Sequence, residues 1–178
     1  MNIRLITVQS KEIADSLLKG NIHYARKRED YFLQPVYNKM CEAYGYEHNP
    51  VFAGVVGRRC EFLGAPREES YIIEIDVPEE LVKLQNYYDW SDMIYYTEEP
   101  KEWAMGSEYP LKEFFKNTLE GKNTHKKSSV IQATIPYIDP NWVHDIIPLT
   151  EKFNDMHIGS GGNNVLMTLD FYKANIEL

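Results

Sequence analysis

Cysteine is scarce in this chain: Cys41 and Cys60 stand far apart and form neither a disulfide framework nor a Cys-x-x-Cys metal pair. Long apolar runs are missing too, and no stretch resembles a signal peptide, so the expected address is the cytoplasm, with no membrane partner and both thiols reduced. The common chemical signatures are also lacking. There is no GxxxxGK[ST] phosphate loop, no GxSxG elbow and no HExxH, and the five histidines are too scattered to suggest a metal set. "GSGGNN" misses the dinucleotide fingerprint and reads as a turn. Positive charge is outweighed, 19 basic residues against 27 acidic for a net charge of -8, which argues against a general nucleic-acid or membrane coat. A local basic patch can still grip one acidic ligand.

What is present suits one core. With 178 residues, 43% hydrophobic and 13% aromatic, the chain is expected to form a single domain over 1–178. "IRLITVQS" is β-branched enough for a strand. Ser10 then opens a helix that Gly20 stops. Phe32, Val36, Met40 and Ala43 recur at helical spacing, predicting a second helix with Pro35 in its first turn and Gly45 at its end. "VFAGVVGRRCEFLG", with short β-branched runs broken by glycines, and "SYIIEIDVP" read as strands, "PEELVKL" as a helical turn, and Met93 to Tyr96 as a short strand within a loop. "PLKEFFKNTLEGK" predicts a short helix, "VIQATIPYI" a strand and "DPNW" a turn. The expected fold class is α+β, a mainly antiparallel, twisted sheet with flanking helices.

Two strands carry the candidate chemistry. Strict alternation puts Tyr71, Ile73, Ile75 and Val77 on one face of "YIIEIDVP" and Ile72, Glu74 and Asp76 on the other. Gln132 shares a face with Val130 and Thr134, opposite Ile131, Ala133 and Ile135. If those polar faces meet in one cleft, Glu74 and Gln132 converge on a ligand; otherwise Glu74 is a solvated strand position and Gln132 a surface residue or a satisfied core amide. Arg26, Lys27 and Arg28 precede Tyr31 and Phe32, a pattern that suits either a pyrophosphate clamp with a stacking ring or a solvated basic face. Arg58 and Arg59 offer a second phosphate contact, and "THKK" borders the Gln132 strand. Tyr87, Tyr88, Trp90, Tyr95, Tyr96 and Trp103, interleaved with acids, suit a lid, a protein-binding surface or packing on the sheet.

The pieces "LITVQS", "YIIEIDVPEELV" and "SSVIQATIPYI…WVHDIIPL" resemble the uncharacterised bacterial family numbered 3841 among the domains of unknown function. The likeness runs over residues 1–149 and leaves 150–178 as a C-terminal extension with a Gly-rich turn. More distantly, the order of elements resembles the ADP-ribosyltransferase fold, in particular its DarT-like group. That resemblance implies NAD as substrate, with a nucleic-acid base or a protein as acceptor. It also implies a toxin or phage-defence effector, with a neutralising partner protein. It assigns Gln132 to the place of the catalytic glutamate, and Thr7 and Gln9 to the NAD-binding end of the first strand, where the fold usually presents histidine and threonine. The residue pattern adds Arg26, Arg28, Tyr31 and Arg58 as candidate cofactor contacts and Glu74 as the carboxylate available to support Gln132. A glutamine keeps the hydrogen bonds of a glutamate and loses its charge, so the alternative implied is a module that binds NAD or a nucleotide without turnover, or a protein-interaction domain using the acidic tyrosine-rich surface.

Overall fold

A computed structural model describes residues 1–31, 33–56, 69–86 and 131–148. Strand β1 (Asn2–Ser10) leads directly into helix α1 (Lys11–Leu18). Ser10 makes that junction: its side chain accepts a hydrogen bond from the Ile13 N–H at 3.4 Å, satisfying a first-turn donor. Gly20, at a φ of 84°, provides the left-handed turn beyond the helix. Helix α2 (Gln34–Tyr44) has Pro35 in its first turn and Gly45, at a φ of 73°, as its left-handed stop. Val36 and Met40 are buried as the helical spacing predicts, but Ala43 is exposed and the third buried position is Cys41. The stripe turns at its end because the Cys41 thiol faces inward to the His48 carbonyl at 3.0 Å.

The remaining elements are strands: β2 (Val51–Val55), β3 (Ser70–Pro78), β4 (Lys83–Asn86), β5 (Ile131–Ile135) and β6 (Val143–Pro148). Two of them depart from the expectation. "PEELVKL" forms one 3-10 turn at Glu79–Leu81 and then the strand β4, and "VHDIIP" forms β6 after a 3-10 turn at Pro140–Trp142. Neither has a periodic apolar pattern of its own, and each is a strand because a neighbour's edge supplies its ladder: β5 for β4, β3 for β6. The predicted strand at Met93 to Tyr96 and the helix in "PLKEFFKNTLEGK" lie outside the described residues, as does the tail after Pro148.

Among the described residues the six strands form one antiparallel sheet in the order β4-β5-β2-β1-β3-β6, giving an α+β arrangement with two helices. One face is the core. Leu5, Val51, Ala53, Ile73, Ile75, Val77, Ala133 and Ile135 are buried there, and α1 covers them with Ala14 and Leu17. Each fully buried Ile or Leu contributes about 2 kcal/mol relative to exposure. Along the other face runs a row in direct register: Gln85, Gln132, Gly54, Ile6, Glu74 and Asp145. Helix α2 and the turn after it approach this second face, with Tyr37 against Phe52, the Tyr44 hydroxyl on Gln85 and the Tyr46 hydroxyl on the Thr134 carbonyl. Among the described residues no helix is long and apolar enough to cross a membrane.

Candidate functional site

β1 pairs with β3 along nine residues, from Asn2↔Pro78 to Ser10↔Ser70. With β2 it pairs only at Leu5↔Val55 and Ile6↔Gly54. Beyond Ile6 the register would set Val8 opposite Phe52, but the two strands part. The Thr7 hydroxyl spans the start of this fork, donating to the Phe52 carbonyl at 2.8 Å and accepting from the Gln9 amide at 2.8 Å. Thr7, expected at the cofactor, is buried in the fork and is not among the residues that line the cavity there. Gln9, tethered to it, faces the open side.

A cavity of about 350 Å³ fills the fork. Val8 and Gln9 line it from β1, Pro50 to Gly54 from β2 and its approach, and Gln132 from β5. His23, Ala25, Tyr31 and Tyr37 line it as well. Three rings follow one another along its wall, with Tyr31 5.8 Å from Tyr37 and Tyr37 5.6 Å from Phe52 between centroids, all tilted. Burial, and after it the neighbouring Tyr31, holds the Tyr37 phenol well above the usual tyrosine range. Burial also lowers the His23 pKa below its ordinary 6.5, so the imidazole in the wall favours its neutral form. At neutral pH the cavity offers uncharged rings, phenols and amides, a lining suited to a planar, hydrogen-bonding group.

Gln132 is buried, at 6% exposure, and its carbonyl oxygen accepts from the Gln85 amide at 3.2 Å. Gln85 in turn accepts from the Tyr44 hydroxyl at 3.2 Å. This relay holds the Gln132 amide against the sheet with its oxygen engaged, leaving the NH2 group as the donor it can turn to the cavity. Gln132 is thus a buried amide with its oxygen engaged and a wall of the cleft, and it is not a surface residue.

Glu74 behaves differently. The register places it on the same face as Gln132, but β1 and β2 lie between their strands, a separation of about 14 Å at ordinary strand spacing. Its carboxylate meets the Arg4 guanidinium at 3.1 Å, and Asp76 meets the same guanidinium at 2.8 Å. The proposed convergence of Glu74 and Gln132 is corrected accordingly, and so is the alternative of a solvated Glu74, since at 6% exposure it is buried against its partner.

The basic run leads to the cavity without lining it. Arg26, Lys27 and Arg28 are exposed; the Arg28 guanidinium lies 5.8 Å from the centre of the Tyr31 ring and 3.3 Å from Asp30. Behind the run sit two buried amides, Gln34 and Asn49, that sequence reasoning missed. Both fall at positions that read as helix start and loop, and their partners become visible only in the fold. Tyr37 and His23 were missed as wall residues for the same reason. Tyr37 was legible only as part of a helix. Arg58, Arg59, Phe32, the "THKK" run, the acidic tyrosine-rich cluster and Cys60 lie outside the described residues. Comparison with protein-family models, with curated proteins and with solved structures finds no match to the chain.

Proposed function

We propose that the fork between β1 and β2 is the cleft of an ADP-ribosyltransferase-like fold, that it takes NAD or a related nucleotide, and that binding rather than rapid transfer is its main activity. One observation carries this reading: Gln9, Tyr31 and Gln132, far apart in the chain, meet on one cavity of about 350 Å³. That volume lies at the low end for ligand sites and fits a nucleoside-sized half of a dinucleotide better than the whole. A ring against Tyr31, Tyr37 and Phe52 would have Gln9 and Gln132 as hydrogen-bonding partners on the same cavity, and Arg28 stands beside Tyr31 for a phosphate.

Breaking the nicotinamide–ribose bond builds positive charge on the sugar, and a nearby carboxylate would stabilise it. Gln132 supplies hydrogen bonds there without charge, and Glu74 is committed to Arg4. A missing counter-charge in a dry site slows such a step on the order of a hundredfold or more. The second reading, a slow transferase acting as a toxin or phage-defence effector on a nucleic-acid base or protein, uses the same cleft.

Titration calorimetry with NAD and ADP-ribose, run beside transfer of label from adenine-tagged NAD to cellular protein, RNA and DNA, separates the two. Saturable binding without label supports the binding module. Label that disappears in Gln132→Ala supports the transferase, and neither signal removes the nucleotide reading.

A further inference from the structure

The loop carrying the cations is held from beneath by a pair of buried amides. Gln34 accepts from the Arg28 backbone N–H at 2.8 Å and from the Asn49 side chain at 2.9 Å, and donates to the Asn49 oxygen at 2.8 Å. Asn49 also donates to the Arg26 carbonyl at 2.9 Å, while its own N–H bonds the Ala25 carbonyl at 3.2 Å. Both side chains are 5% exposed. Two apolar side chains of equal size would fill the same space beside α2 but would leave the Arg28 N–H and the Arg26 carbonyl without these partners. Only the amides also pin the backbone on both sides of Lys27.

We propose that Gln34 and Asn49 are positioning residues for the phosphate part of the ligand, fixing the Arg26–Arg28 backbone so that the Arg28 guanidinium stands beside the Tyr31 ring of the cavity wall. This rests on the nucleotide reading of the cleft. A phosphate leaving that cavity past Tyr31 meets a guanidinium whose only charged partner among the described residues is the exposed Asp30, so the exchange of Asp30 for phosphate costs little. The arginine contributes in proportion to how well its backbone is placed beforehand.

The test compares affinities for ADP-ribose and adenosine, which differ in the diphosphate and the ribose beyond it. Wild-type protein is expected to prefer ADP-ribose by about tenfold or more. Gln34→Met, similar in size but without an acceptor for the Arg28 N–H, should erase most of that preference while adenosine affinity changes by less than about threefold. Asn49→Ala removes the Arg26 tether and should lower the preference by about threefold, providing a second variant if Gln34→Met does not fold. Equal losses for both ligands, or an unchanged preference, overturn the proposal. Trypsin digestion is the independent readout: cutting after Arg26, Lys27 or Arg28 should accelerate about tenfold in Gln34→Met without faster cutting elsewhere. If wild-type protein binds neither ligand, the nucleotide reading and the phosphate role both fall. Digestion then shows separately whether the amide pair holds the loop, and unchanged cutting removes that as well.

Discussion

The two edges of β1 use the same nine residues for opposite purposes. Toward β3 every residue from Asn2 to Ser10 has a partner, and the alternate side chains Ile73, Ile75 and Val77 are buried without exposure in the core. Toward β2 the ladder stops after two pairs, and the rest of the edge is bridged by the Thr7 hydroxyl and opened around a cavity. The closed edge collects apolar contact and backbone hydrogen bonds. The open edge gives up ladder contacts and gains a lined space with directional polar groups. Parting the two strands is tolerable because the β3 edge holds β1 in place.

Ile75→Ala strikes the closed edge and should have the largest effect, a loss of about 3 kcal/mol in urea unfolding from lost transfer energy and a cavity. Ligand affinity of the folded variant should change by less than about twofold. A parallel collapse of affinity would break the separation of the two edges. Gln132→Leu addresses the open edge. Ligand affinity should fall about tenfold and stability by about 1 to 2 kcal/mol, because the Gln85 amide loses its acceptor. Thr7→Val keeps shape and removes the bracket, at a cost of about 1 kcal/mol by thermal unfolding, with weaker ligand binding as the fork loses its fixed angle.

A pH series sharpens the same contrast through His23, the histidine of the cavity wall. Its folded pKa is depressed by burial, so below the ordinary 6.5 the unfolded chain binds more protons than the folded one. The stability this group contributes is present above that value and is lost as pH falls through the folded pKa. Thermal midpoints measured between about pH 5 and 8 should drop at the acid end, and His23→Gln should flatten the drop. The smallest effect is expected from Glu74→Gln, which loosens an ion pair with a half-exposed arginine on the closed edge and should leave ligand affinity unchanged. A loss of NAD turnover or binding in that variant would restore Glu74 to the site.

Much of the closed edge was legible in the sequence. The β-branched alternation of "IRLITV" and "YIIEIDVP", the Ser10 cap and the glycines after both helices each depend on interactions within a few residues, and each appears where expected. The open edge was legible only as a set of suspects. Gln9, Tyr31 and Gln132 reach the cavity, whereas Thr7 turns into the fold and Glu74 belongs to Arg4. Strands β4 and β6 went unrecognised because their ladders come from partners rather than from their own composition.

By itself, then, the sequence determined the elements whose stability is local, and it determined that Gln132 would share a face with Thr134 opposite Ala133 and Ile135. The tertiary structure alone decided what that glutamine does. An amide on a strand takes its partner from the neighbouring strands, and only the order β4-β5-β2-β1-β3 puts Gln85 on one side of Gln132, the fork on the other, and two strands between it and Glu74.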